Sequence, residues 1–460
     1  MGAGQNLQYP VQSRDGLIVL KEPVDTDDSR FSEKDIDALF LGEDTHTVIR
    51  LSKESHLGKA ELFQFFYQCE CLYENGEISR KTLNQMIKEG VKNCSCIPAN
   101  HTNVNAELKK CPSVHRQVSR DMIQAVGRMN RTFLKNPTVY LFTTENALSA
   151  MDPSCLRNRI MTPEMQALAE ARYQMGQEYT VPNEARNIAE RIAEYGNGYI
   201  QRMLRTAWTP DTMELWNTLR SLVLSHPRAT PDEWEEDSVL KNYYIHLGAE
   251  QDKYYFAQKG DFAEIRLCLD GDREGFDASL REEGLLPSEV SEEQSRLKLI
   301  LSYPGMREYF KSQGWATGFG NGPYIMSPVL FQNIYKGALG EEAGAFILKR
   351  ELGITCHELT DPSEFEVFDY SIGDGMYVDF KHWKSGNAFK EKQMRTKILE
   401  KLDSIGGKRV FIINLFSDGT SECSSLENGK LIEVPGLLLP DGQVNRTALE
   451  KIEEMIHCSM

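Results

Sequence analysis

Residues 365 to 383 constrain the fold more than any other stretch of this 460-residue chain. Two β-rich runs, Phe365 to Ile372 and Met376 to Trp383, flank Gly373-Asp374-Gly375. Glycine and aspartate accept the positive backbone angles of a tight turn, so the pattern predicts a β-hairpin. Side chains alternate along a strand. Met376, Val378 and Phe380 therefore share one face, and Tyr377, Asp379 and Lys381 share the other. Asp379 and Lys381 project together, and Asp369 on the first strand can face them across the hairpin.

The flanks extend this into an α/β arrangement. Leu339 to Leu352 has helical apolar spacing, with Gly353 placed as a C-cap and Glu341 and Glu342 in the first turn. After the hairpin, Gly386 opens a helix containing Met394, Ile398, Leu402 and Ile405, and Arg409 to Leu415 reads as a further strand. Upstream, Gly16 to Leu20 and Thr138 to Phe142 read as strands. Thr162-Pro163-Glu164 looks like a capped helix start, opening a helical stretch to about Leu204. Met213 to Leu224 continues the helical pattern, followed by β-like runs at Tyr243 to Ile245, Tyr254 to Phe256 and Ile265 to Leu269. Asn321-Gly322-Pro323 breaks the chain. We therefore expect an α/β protein of three parts: a mixed region over 1–155, a mainly helical connecting region over 156–330, and an α/β domain with a mixed sheet over 331–460.

Composition matters at three points. No apolar run approaches the ~20 residues that span a bilayer, and the N-terminus lacks a basic segment followed by an apolar one. With ten cysteines spread over the chain, the expectation is a reduced, cytoplasmic protein with no membrane partner. The formal net charge of -16 argues against a broadly basic surface. It leaves room for a local basic patch, for which Lys384, Lys390, Lys392, Arg395 and Lys397 are candidates. Cys69, Cys71, Cys94, Cys96 and Cys111, with His101 and His115, are better read as ordinary thiols and imidazoles, because C-x-C is not the C-x₂₋₄-C of common zinc sites.

Glu341, Asp369, Asp379 and Lys381 are what metal-assisted phosphodiester hydrolysis needs. Carboxylate oxygens are hard ligands suited to Mg²⁺ or Mn²⁺. A bound ion polarises the phosphate and acidifies water, and a lysine stabilises developing negative charge. This run resembles the PD-(D/E)xK, or restriction-endonuclease-like, nuclease superfamily over about residues 335 to 416. Gly340-Glu341 matches its helix start, Asp369 its lone aspartate, and Asp379-Phe380-Lys381 its (D/E)xK. Phe368 stands where the family commonly has proline, and Asp374 at the turn is a second candidate for the first aspartate. The resemblance implies that Asp369, Asp379 and Glu341 ligate the metal, that Lys381 acts on water or phosphate, and that the substrate is nucleic acid, DNA by preference.

A second motif, Gln124-Ala125-Val126-Gly127-Arg128-Met129-Asn130-Arg131, resembles the Q-x-x-G-R-x-x-R motif VI of superfamily 2 helicases. There the arginines reach ATP phosphates across a cleft between two RecA-like domains, which makes Arg131 the finger candidate, with Arg128 and Gln124 beside it. Gly2 to Leu7 resembles motif V of the same family, with an insertion between the two. The sequence has no G-x-x-x-x-G-K-[ST] phosphate loop. The resemblance thus implies a partial second RecA-like domain over 1–155, whose ATP-binding half lies on a separate chain or a missing N-terminal part. No ATPase activity is expected from this chain alone. The expected whole is the cutting end of a helicase-nuclease, used in prokaryotic DNA processing or phage defence. The alternative is a non-catalytic nucleic-acid-binding or regulatory module that docks on a separate ATPase half.

Overall fold

In the computed structural model of the chain the hairpin forms, and a mixed sheet is built around it. The structure describes residues 8–22, 29–42, 48–52, 56–97, 102–152, 154, 161–176, 184–233, 239–247, 251–261, 264–281, 283–382, 392–416 and 422–457. The motif V-like residues Gly2 to Leu7, and also His101, Trp383, Lys384, Gly386 and Lys390, lie outside them. The chain is mixed α/β and divides into two compact units, Met1–Ile188 and Ala189–Met460.

In the first unit, helices Lys59–Glu74, Arg80–Cys94 and Pro112–Val126 each bury apolar residues, among them Phe65, Leu83 and Met122. One cluster gathers Phe65, Leu83, Met86 and Leu108, and a second gathers Leu39, Leu41, Met122, Val126 and Leu168. Strand Ala38–Leu41 pairs in parallel with Tyr140–Thr143. The sequence places strands at Gly16 to Leu20 and Thr138 to Phe142. The structure narrows the first to Ile18–Val19 and sets the second at Tyr140–Thr143. The helical stretch from Thr162 resolves into Pro163–Gln174 and Glu184–Met203, and the Thr162 side chain caps the first by accepting from the Met165 N–H.

In the second unit, α1 (Pro210–Ser225) precedes α2 (Lys336–Leu352), which continues a π-helical turn at Leu330–Tyr335. Six strands follow: β1 (His357–Glu358), β2 (Tyr370–Gly373), β3 (Met376–Lys381), β4 (Arg409–Asn414), β5 (Ser424–Leu426) and β6 (Leu431–Val434). Helix α3 (Lys392–Ser404) joins β3 to β4, and α4 (Arg446–His457) ends the described chain. The sheet order is β1-β2-β3-β4-β6-β5. β2 and β3 are antiparallel, while β3, β4 and β6 run parallel, with Val378 opposite Phe411 and Phe411 opposite Ile432. Parallel strands are covered on both faces. Every residue of β4 is accordingly buried.

The two faces have separate cores. On one, Val378, Phe380, Phe411 and Ile413 pack with Leu339 and Ile347 of α2 and with Trp216, Leu219 and Val223 of α1. On the other, Tyr377, Val410 and Ile412 pack with Ile398 and Leu402 of α3. Residues on both sides of position 330 contribute to the first of these cores. The span 156–330, read from sequence as mainly helical, also holds two three-stranded arrangements. Strands at Tyr254–Gln258, Ile265–Cys268 and Ser288–Val290 form one, and Tyr324–Met326 lies between Arg228–Ala229 and Tyr244–His246 in the other.

Candidate active site

Helix α2 comes close to β3 because its facing residues are small. Gly340, Ala343 and Gly344 are buried, and Gly344 lies directly against the Phe380 ring. Gly340 lies near Lys381 and His382 at the end of the strand. The next residues along the helix are Glu341 and Glu342, so both carboxylates are brought to the end of β3 that bears Asp379 and Lys381. The helix ends at Gly353, whose φ of 71° is the left-handed cap the sequence anticipates.

Asp369 comes from the other side of the hairpin. The sequence reading starts the first strand at Phe365, whereas β2 begins at Tyr370. The cause is turn chemistry at Asp361-Pro362-Ser363: the Asp361 carboxylate accepts from the Ser363 N–H at 2.8 Å, and its carbonyl accepts from the Phe365 N–H. Asp369 is nonetheless in register. Its N–H donates to the Val378 carbonyl at 3.1 Å, and its carboxylate accepts from the Phe380 N–H. Asp374, the competing candidate, sits in the turn at a φ of 52° between two glycines that also have positive φ.

Glu341 and Asp369 line a cavity of about 360 Å³ together with Arg220, Glu342 and Glu366, among others, and Asp379 and Lys381 lie near enough to act on both carboxyls. Asp379 holds the Lys381 ammonium at 2.5 Å. Arg220, from α1, pairs with Glu341 and donates to Glu342 at 2.7 Å and to the Tyr370 hydroxyl at 3.2 Å. Tyr309 donates to the other oxygen of Glu342 at 3.1 Å. The four sequence-chosen residues thus lie close together, and the structure adds Arg220, Glu342, Glu366, Tyr370 and Tyr309.

Charge is crowded here. Burial raises the Glu341 pKa above the usual carboxylate range against the pull of Arg220. Burial, with the nearby charges of Glu341 and Asp379, holds Asp369 well above it. Glu366 also lines the cavity, in a left-handed conformation, φ 60°. The enclosure of its carboxyl group and the charge of Glu341 push it up to about 7. Burial alone would lower Lys381, but Asp379, Asp369 and Glu341 outweigh it and keep the ammonium firmly protonated. His382, one residue on, is pushed down to about 4 by burial and donates from Nε2 to the Ser295 carbonyl at 2.9 Å.

Of the local basic patch expected from sequence, Lys384 and Lys390 lie outside the described residues. Arg395 makes a two-pronged contact with the buried Glu433, at 2.8 Å on each arm, and is committed to holding α3 on β6. Lys397 is exposed. In the first unit, Gln124 is exposed in the last turn of helix Pro112–Val126, Arg128 lies in the 3-10 turn Gly127–Asn130, and Arg131 follows with its N–H on the Asp35 carboxylate.

Carboxylates dominate the polar lining of the cavity, beside Asn217, Ser221 and Thr360, and carboxylate oxygen is the donor a hard divalent ion prefers. Five carboxylates, from Glu341, Glu342, Glu366, Asp369 and Asp379, face two cations, Arg220 and Lys381. That excess of negative charge calls for protons or for a further cation. Among the described residues no three acidic, thiol or imidazole side chains already stand as a ready ion-holding group. Glu341 is held by Arg220 and Asp379 by Lys381 instead.

No protein-family model matches the chain, and no curated protein matches it.

Proposed function

We propose that the second unit is a divalent-metal-dependent nuclease that hydrolyses phosphodiester bonds in nucleic acid, DNA by preference, with Mg²⁺ or Mn²⁺ as its cofactor. The observation that supports this most is the meeting of Glu341, Asp369, Asp379 and Lys381. They come from a helix, a strand entry and a strand interior, and each lies near enough to alter the protonation of another. The arrangement follows the PD-(D/E)xK pattern that the sequence resembles.

In this reading Asp369, Asp379 and Glu341 hold the ion. When bound, it would polarise the scissile phosphate and lower the pKa of a bound water. Lys381 supplies a permanently charged donor beside Asp379, suited to stabilising negative charge that develops on the phosphate. The Phe380 N–H fixes the Asp369 carboxylate, so one ligand is oriented before any ion arrives. Phe380 and Val378, which alternate with Asp379 along β3, anchor that strand in the apolar core.

Cleavage of single- and double-stranded DNA and RNA in Mg²⁺, with cutting at ends and within strands scored separately, tests the reading. Lys381→Ala should slow cleavage by about 10²- to 10³-fold, the range for loss of one charge-stabilising donor. Asp379→Ala should abolish dependence on the ion. Undiminished cutting by both variants would remove this site. If wild type binds nucleic acid without cutting it, the non-catalytic module gains. For the first unit, the helix end carrying Gln124, Arg128 and Arg131 is our candidate for docking on a separate ATP-binding domain, in keeping with a helicase-nuclease of cytoplasmic DNA processing or phage defence.

A further inference from the structure

One cation in the cavity lies outside the motif. Arg220 is contributed by α1, more than a hundred residues before Glu341 and the hairpin, and its side chain is only 19% exposed. Its two arms are held differently. Nη2 donates to Glu342 at 2.7 Å and to the Tyr370 hydroxyl at 3.2 Å, and Glu342 is itself anchored by the Tyr309 hydroxyl on its second oxygen. Nη1 is bound to Glu341. The Nη2 arm is tethered at two groups, and the Nη1 arm rests on the carboxylate that a divalent ion would take.

A guanidinium and a divalent ion bound to the same carboxylate repel each other, so they compete for it. A guanidinium released from a carboxylate is well shaped to accept a phosphate, because its planar donors match phosphate oxygens. Resting on the nuclease reading of this cavity, we propose that Arg220 is an exchangeable counter-cation. Its Nη1 arm holds Glu341 until a divalent ion arrives, yields Glu341 to that ion, and then faces the substrate phosphate. Its Nη2 arm stays tethered by Glu342 and Tyr370 throughout. Arg220 thereby stays beside the acidic cluster both before and after the ion loads.

The test is Mn²⁺ binding to the full chain, followed by electron paramagnetic resonance of the free ion, alongside thermal melts in EDTA and in Mn²⁺. Arg220→Gln should bind Mn²⁺ about tenfold more tightly, because its competitor is gone. It should melt lower than wild type in EDTA and recover most of the difference in Mn²⁺. With Mn²⁺ saturating, its kcat should fall by about 10²-fold for want of the phosphate partner. Tyr370→Phe keeps the arginine but loosens its tether, and should bind Mn²⁺ more tightly by a smaller factor. It decides the matter if Arg220→Gln does not fold. Mn²⁺ binding that is unchanged or weaker in these variants overturns the proposal, since that is what a merely structural arginine would give. Wild type that fails to bind Mn²⁺, or binds it equally after Asp379→Asn, removes the nuclease reading and this proposal with it.

Discussion

Gly344→Ala is the sharpest test of how the site is assembled. A Cβ at Gly344 would overlap three atoms of the Phe380 ring, the farthest of them at 2.8 Å. The ring cannot simply swing aside: Phe380 is 3% exposed and packs edge-on against Tyr370, with ring centres 6.1 Å apart. Overpacking of this kind costs about 1–3 kcal/mol. Replacing glycine by alanine within a helix returns about 0.5–1 kcal/mol. The net loss should be about 1–2 kcal/mol, or a fall in Tm of about 2–8 °C for a domain of this size. Gly340→Ala is the control, because its Cβ would meet His382 at 3.6 Å, an ordinary contact, and that variant should be neutral or slightly stabilised. The assay is urea unfolding of both variants, repeated in a Phe380→Leu background. There the cost of Gly344→Ala should largely vanish. A neutral Gly344→Ala, or a cost unchanged by Phe380→Leu, would refute the reasoning that this glycine sets the approach of α2 to β3.

Three further outcomes follow from burial and pairing. His382 is pushed down to about 4, so between about pH 6.5 and 4 the unfolded chain binds a proton that the folded one refuses. Its contribution to stability should therefore fall by up to about 3 kcal/mol as pH drops through that window, and comparing wild type with His382→Asn isolates it from the raised carboxyls of Glu341, Glu366 and Asp369, whose slope is opposite. Arg395→Ala strands the buried Glu433 carboxylate and should cost about 1–3 kcal/mol, discounted for the partial exposure of Arg395; Glu433→Gln combined with it should recover part of the loss in denaturant titrations. Burial pushes the Cys69 and Cys111 thiols up to about 12, so iodoacetamide at pH 8 should leave both unlabelled in folded protein while the exposed Cys96 reacts, as read by peptide mass mapping.

Much of the hairpin and its flanks was legible because local chemistry dictates it. Gly373-Asp374-Gly375 could only turn, Gly353 could readily cap, and the apolar run at Arg409–Asn414 suits a strand covered on both faces. Alternation alone paired Asp379 with Lys381. The extent of the first strand was misjudged because β-propensity at Phe365 and Val367 gave way to the turn that Asp361 builds. Arg220 was not legible. Trp216, Leu219 and Val223 mark the buried stripe of α1, and an arginine at the edge of such a stripe usually reaches water. Only the packing of α1 near α2 turns it toward Glu341 and Glu342. Arg395 read as part of a basic surface because its partner, Glu433, lies on a strand distant in sequence.

The position of Arg220 also bears on when the site comes into being. It lies 122 residues before Glu342 and 150 before Tyr370, which it joins directly. Closing a loop of that length costs about 4 kcal/mol of chain entropy, to be recovered only by contacts made at or after closure. Such long-range closures are slow and come late in folding. A chain that has formed its hairpin and α2 but has not yet docked α1 has the motif residues without their counter-cation, and its acidic pocket is unbalanced. Completion of the pocket is therefore tied to the cooperative folding of the whole second unit, so a half-folded chain would lack a finished pocket.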